Sequence, residues 1–230
     1  MPDVILSGSE RNFSAYLATP ASSEGPGIVL IQEIFGVNKV MRDIANQHAA
    51  NGHLALCPDL FWRQEPGIQL TDQTDEEWQK AFALYQDFNP DKGVDDLIAA
   101  LDHLRAIDGC SGRVGTVGYC LGGKLAYMMA TRSNADCNVS YYGVAIETLL
   151  DEAANITRPL LLHIADEDEF VPKEAQAQIK ATLAANPHVT IHSYPGVGHA
   201  FARVGGQHFN EEAAALANRR TTEFFKKHLG

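Results

Sequence analysis

Arg113-Val114-Gly115-Thr116-Val117-Gly118-Tyr119-Cys120-Leu121-Gly122-Gly123 is the stretch that decides the fold. Its first half reads as a buried strand, and residues 121–131 carry a helical pattern. A turn this sharp between strand and helix puts the residue at its apex in a strained backbone conformation. The neighbours two before and two after must then lack colliding side chains, which Gly118, Gly122 and Gly123 supply. Cys120 at the apex would lie at the positive end of the helix, where its thiol ionises more easily. The Leu121 amide would point toward an oxyanion formed beside that sulfur. Two other readings stand beside this one. The glycines do not meet the G-x-G-x-x-G or G-x-x-x-x-G-K-[ST] spacing of a phosphate loop. A free cysteine can also simply be a packed core residue.

Outward from this turn, short apolar runs alternate with helical patterns. Strands are expected at residues 27–32, 53–57, 113–119, 138–142, 160–164 and 189–194. Helices are expected at 40–50, 74–87, 94–105, 121–131, 172–185 and 211–228, with Asn38 capping the first and Thr74 and Glu77 at capping-box spacing in the second. This alternation predicts an α/β domain with a mostly parallel sheet covered by helices on both faces. No repeat or linker interrupts residues 1–230, so a single domain is expected. Residues 60–75 form the only long irregular connection, a candidate lid or binding loop.

Composition limits the function. Of 230 residues 45% are hydrophobic and 20% charged, ordinary for a globular chain with a core. The formal net charge of −11 opposes a phosphate backbone and argues against nucleic acid as a partner. The first twenty residues lack the pattern of a signal peptide and no apolar run suits a membrane span, so a cytoplasmic, membrane-free protein is expected. The four cysteines stand far apart, which in a reducing compartment means free thiols. Nine histidines raise the thought of a metal protein, but no H-E-x-x-H or paired Cys/His spacing accompanies them.

Two further segments complete a nucleophile–acid–histidine order, the order of α/β hydrolases. The strand at 160–164 runs into Asp166-Glu167-Asp168-Glu169-Phe170-Val171-Pro172, which offers Asp166 or Asp168 as the acid. The strand at 189–194 leads into Pro195-Gly196-Val197-Gly198-His199, which brings His199 forward as the base. A thiol beside an imidazole oriented by a carboxylate is a competent acyl-transfer unit. Glu33 ends the strand at 27–32 and is followed by Ile34, Phe35 and Gly36; it is either a desolvated carboxylate near the thiol or a solvated strand-end acid.

The segments around Glu33, Cys120, Asp168 and His199, with Phe201, Ala202 and Arg203 after the last, resemble the dienelactone hydrolase (carboxymethylenebutenolidase) family. The similarity continues through Lys92-Gly93-Val94, Tyr141-Tyr142-Gly143-Val144 and Ala215-Leu216-Ala217-Asn218, collinear over nearly the whole chain. It implies an α/β-hydrolase fold, a monomer without cofactor or metal, and hydrolysis of an enol-lactone to a keto-dicarboxylic acid in aromatic breakdown. By motif, Cys120 is then the nucleophile, Asp168 the acid and His199 the base, with the amides of Ile34 and Leu121 as oxyanion hole. Glu33 falls on the family's switching carboxylate, which keeps the thiol at rest until substrate binds. Arg203 falls on a substrate-binding arginine. Phe35, Phe82 and Tyr142 come from the same matched stretches as candidate substrate contacts. The family's second substrate arginine falls on Trp78, a departure that favours a less anionic ester. A broader carboxylesterase or thioesterase, or a binding protein on an inactive hydrolase fold, are the alternatives.

Overall fold

The computed structural model describes residues 3–8 and 10–230. Among the described residues eight strands, β1 (Asp3–Ser7), β2 (Asn12–Ala18), β3 (Gly25–Ile31), β4 (Leu54–Pro58), β5 (Cys110–Tyr119), β6 (Asn138–Tyr141), β7 (Leu160–Ala165) and β8 (Val189–Tyr194), lie in the order β1-β2-β4-β3-β5-β6-β7-β8. The chain packs as two compact units, one ending at Thr116 and the other starting at Val117; the boundary falls inside β5 (Cys110–Tyr119).

The first unit opens with two antiparallel strands, β1 (Asp3–Ser7) and β2 (Asn12–Ala18), neither anticipated from the sequence. They are hard to read because β1 offers only Val4, Ile5 and Leu6 in a row and β2 mixes Asn, Ser and Ala with Phe13, Tyr16 and Leu17. β2 pairs antiparallel with β4 (Leu54–Pro58), and β4 pairs parallel with β3 (Gly25–Ile31). Parallel strands need a crossover, here α1 (Lys39–Ala50). Its buried stripe Met41, Ala45 and Ala49 has the four-residue spacing of one helix face, and Asn38 Oδ1 accepts from the Met41 amide at 3.1 Å as N-cap.

Helix α2 (Asp75–Asp87) starts at Thr74 as expected: Thr74 Oγ1 accepts from the Glu77 amide at 3.2 Å. The return half of the capping box goes elsewhere, since Glu77 accepts from the Thr71 amide at 3.0 Å. Helix α3 (Pro90–Ala106) begins four residues before the expected start. Asn89 caps it and Pro90, at the first helical position, has its φ already set for the helix.

The connection at 60–75 is strapped down along its length. Trp62 stacks on Phe13 at 5.5 Å and donates from Nε1 to Asp96 at 2.9 Å. Arg63 pairs with Asp96 and lies over the Trp62 ring. Asp59 accepts from the Phe61 and Gly67 amides, and the Leu70 amide donates to Phe35. Backbone groups of an irregular segment still need partners, and here buried carboxylates and neighbouring carbonyls supply them.

In the second unit β6 (Asn138–Tyr141), β7 (Leu160–Ala165) and β8 (Val189–Tyr194) run parallel, with Asn138 opposite Leu160 and Leu160 opposite Val189. Helices α4 (Leu121–Arg132), α5 (Lys173–Leu183) and α6 (Glu211–Leu229) lie close to their expected bounds. A 3₁₀ segment, Ile146–Asn155, follows β6 where no element was expected. Helix α6 packs on β7 through a buried polar cluster: Tyr141 Oη donates to Asn218 at 3.0 Å and bonds Thr221 at 2.7 Å. His163 reaches Tyr194 at 2.7 Å and Thr221 at 2.9 Å through its two ring nitrogens. Among the described residues no helix is long and apolar enough to cross a membrane.

Candidate active site

Cys120 sits between β5 and α4 at φ 57° and ψ −115°, a conformation an L-residue adopts only under constraint. The constraint is visible on both sides. Its amide donates to Tyr141 O at 3.1 Å, and its carbonyl accepts from Lys124 in the first turn of α4. A Cβ on Gly118 would stand 1.9 Å from Gly122 O, and one on Gly123 would stand 2.6 Å from Tyr141 O. Side chains at either position would open the turn. The sulfur therefore lies at the end of a twelve-residue helix, where unpaired amides and the helix dipole favour negative charge.

Asp168 and His199 come from the loops after β7 and β8. The parallel ladder between those strands continues past their ends: the Asp166 amide donates to Tyr194 O at 3.1 Å and the Glu167 amide to Val197 O at 3.0 Å. That zipping delivers the two side chains to each other. Asp168 Oδ1 and Oδ2 lie 3.0 Å and 2.8 Å from His199 Nδ1, and Oδ1 also accepts from the Phe170 amide at 2.9 Å. A carboxylate bound this way assigns a ring proton to Nδ1 and leaves Nε2 for a different partner. Nε2 is buried without an oxygen or nitrogen partner. Burial by itself opposes the charged ring, but the Cys120 sulfur and the Asp168 carboxylate outweigh it and push the imidazole pKa up to about 10. Asp166 turns instead to α5, where Lys180 approaches it at 3.4 Å, and Asp168 is the aspartate that faces the histidine.

Around the imidazole stand aromatic rings. Tyr142, one of the expected substrate contacts, lies edge-on at 5.1 Å from the His199 ring and holds φ 38°. Phe170 meets His199 at 4.8 Å and is 44% exposed. No role was expected for Phe170, although it stands two residues after Asp168 within the quoted motif. Arg203 is buried, and its amide donates to Ala200 O at 2.9 Å, which closes the turn after His199.

The first unit holds the remaining candidates. Glu33 and Ile34 are buried just past β3, with the Gln32 side-chain amide donating to Glu33 O at 3.3 Å. Phe35, Trp78 and Phe82 form one aromatic row: Trp78 meets Phe35 edge-on at 5.1 Å and stacks on Phe82 at 5.4 Å. Trp78 Nε1 donates to Asp72 O at 3.1 Å, which fixes the indole. Of the other thiols, Cys57 and Cys137 are fully buried, and burial pushes both far up, out of the reactive range. Among the described residues no group of three His, Cys, Asp or Glu side chains could hold a metal ion.

A mostly parallel sheet with a strained, glycine-flanked turn between a strand and a helix defines the α/β-hydrolase class. The sequence profile of the dienelactone hydrolase family matches residues 13–229, and the chain belongs to that family as a lactone or ester hydrolase. A protein of Azospirillum brasilense is 54% identical over 100% of both chains. Carboxymethylenebutenolidase 1 of Cupriavidus pinatubonensis is 41% identical, over 95% of this chain and 93% of its own. The crystal structure of a dienelactone hydrolase from Anabaena variabilis, 18% identical, shares the fold with a TM-score of 0.73 over 100% of this chain and 98% of that one.

Proposed function

We propose that the chain hydrolyses a small carboxylate-bearing enol-lactone of the dienelactone type through an acyl-enzyme on Cys120. The observation that carries this reading is the Asp168–His199 pair, with Nε2 unoccupied by oxygen or nitrogen and the imidazole electrostatically coupled to the Cys120 sulfur. His199 Nε2 takes the thiol proton and the thiolate attacks the lactone carbonyl. The Leu121 amide, at the start of α4, meets the resulting oxyanion. As the ring opens, Nε2–H protonates the departing enolate oxygen, and the enol becomes a ketone. A water then gives its proton to Nε2 and attacks the thioester, releasing a second carboxylate and the sulfur. The relatives named as carboxymethylenebutenolidases support the substrate class, and one family profile spanning 13–229 supports a single hydrolase domain.

Ile34 as second oxyanion donor, Glu33 as switching carboxylate and Arg203 as substrate anchor follow from the motifs they occupy. Cys120→Ala is expected to lower kcat/KM on dienelactone by about 10³-fold or more; undiminished turnover would reject the mechanism. One observation favours a second reading. The Phe35–Trp78–Phe82 row presents an aromatic surface where the family has an arginine, which suits a less anionic carboxylic ester or thioester. A substrate panel decides between them: the second reading requires higher efficiency on neutral esters, and Trp78→Arg should then move preference toward dienelactone.

A further inference from the structure

Beside Asp168, among residues of β6, β7 and α5, lies a cavity of about 10 Å3 lined by Ser140, Tyr142, Gly143, His163, Asp168 and Val171 among others. That is room for one water. Ser140 is 1% exposed, and its hydroxyl is buried with no hydrogen-bond partner. An unmatched buried hydroxyl is a cost that an alanine would remove, so its presence on a core strand calls for a ligand. Gly143 keeps the space above it open, since a Cβ there would stand 2.6 Å from Ser140 Oγ. Asp168 brings matching capacity to the same cavity. Its Oδ2 accepts from His199 alone, which leaves a lone pair to spare.

We infer that Ser140 is a positioning residue: it holds one buried water that donates to the Asp168 carboxylate and so fixes the acid against His199. The inference rests on the proposed roles of Asp168 and His199. The hydroxyl accepts from or donates to the water, and the water's other hydrogen goes to the carboxylate, so neither partner is left bare. The aspartate is then held by the Phe170 amide on one oxygen and by solvent locked into the fold on the other.

Two variants and three readouts test this. Ser140→Val fills the cavity and expels the water, while Ser140→Ala removes the hydroxyl but leaves space for solvent. Losing one charge-assisted hydrogen bond should lower kcat about tenfold in Ser140→Val with KM unchanged, and less in Ser140→Ala. The His199 Nδ1 proton resonance should move upfield in the same order, and both variants should melt below the parent. A high-resolution crystal structure should show one water within hydrogen-bond distance of Ser140 Oγ and Asp168. A dry cavity, or variants that melt higher with an unmoved Nδ1 proton, would overturn the inference. The resonance and the melting temperature need no turnover. If Cys120→Ala proves fully active while the proton still moves, the hydrolytic mechanism fails and the water site stands.

Discussion

Two histidines in the second unit are buried almost equally, and their electrostatics diverge. His163 on β7 bonds two hydroxyls, Tyr194 and Thr221, and burial pushes its pKa well below 6.5. His199 is 4% exposed, bonds a carboxylate and senses a thiol, and is pushed up to about 10. Burial disfavours the charged ring in both. What differs is whether the partners carry negative charge: hydroxyls cannot compensate an imidazolium, whereas an ionised Cys120 sulfur and, after it, the Asp168 carboxylate can. One ring is therefore a fixed strut between strand and helix, and the other is the proposed proton carrier.

The comparison can be broken most forcefully at Asp168. Asp168→Asn replaces the charge with a dipole of the same shape, and kcat should fall by about 10³- to 10⁴-fold, with the His199 titration moving down. An unchanged His199 titration by NMR would show that the carboxylate has no share in the shift and that the Cys120 sulfur alone produces it. The pH dependence of stability sharpens the contrast next. His199, with its pKa raised, adds stability that is complete below about pH 6.5 and is lost as pH rises toward about 10. His163 has the opposite sign: its stability is complete above about pH 6.5 and is lost as pH falls below that value. In urea titrations His199→Gln should therefore flatten the alkaline slope and His163→Gln the acid slope; a shared slope change would refute the distinction. The smallest effect is expected from Thr221→Val, which removes the hydroxyl between Tyr141 and His163. It should cost about 1–2 kcal/mol in chemical denaturation and leave kcat within a factor of about two.

Much of this site is legible along the chain because each chemical group follows a strand tip. Cys120, Asp168 and His199 each stand just past an apolar run, in a loop with turn residues, and the order of the three is itself a signal. The strut is not legible. Tyr141 and Thr221 are 80 residues apart, and a tyrosine on a strand and a threonine on a helix carry no local mark of their pairing. The same holds for Phe170 and Ser140, which matter through what they touch. In the fold, most parallel strands announce themselves by continuous apolar runs, whereas the edge strand β1 has only three apolar residues in a row and β2, between β1 and β4, has a mixed composition. A strand half open to solvent needs few large apolar residues, so its composition looks like a loop. The 3₁₀ segment Ile146–Asn155 escapes for another reason: Ile146, Leu149, Leu150 and Ala153 do repeat at helical spacing, but Ala145 before them offers no side-chain cap to mark a start.

The positions of the proposed nucleophile, acid and base along the chain also bear on biosynthesis. All three lie between residues 120 and 199, so a ribosome releases the sulfur some eighty residues ahead of the imidazole. Until His199 emerges, the nascent polypeptide carries an ordinary thiol with no base to activate it. Under the proposed mechanism the sulfur is thus armed late in translation, when most of the surrounding scaffold has already been made.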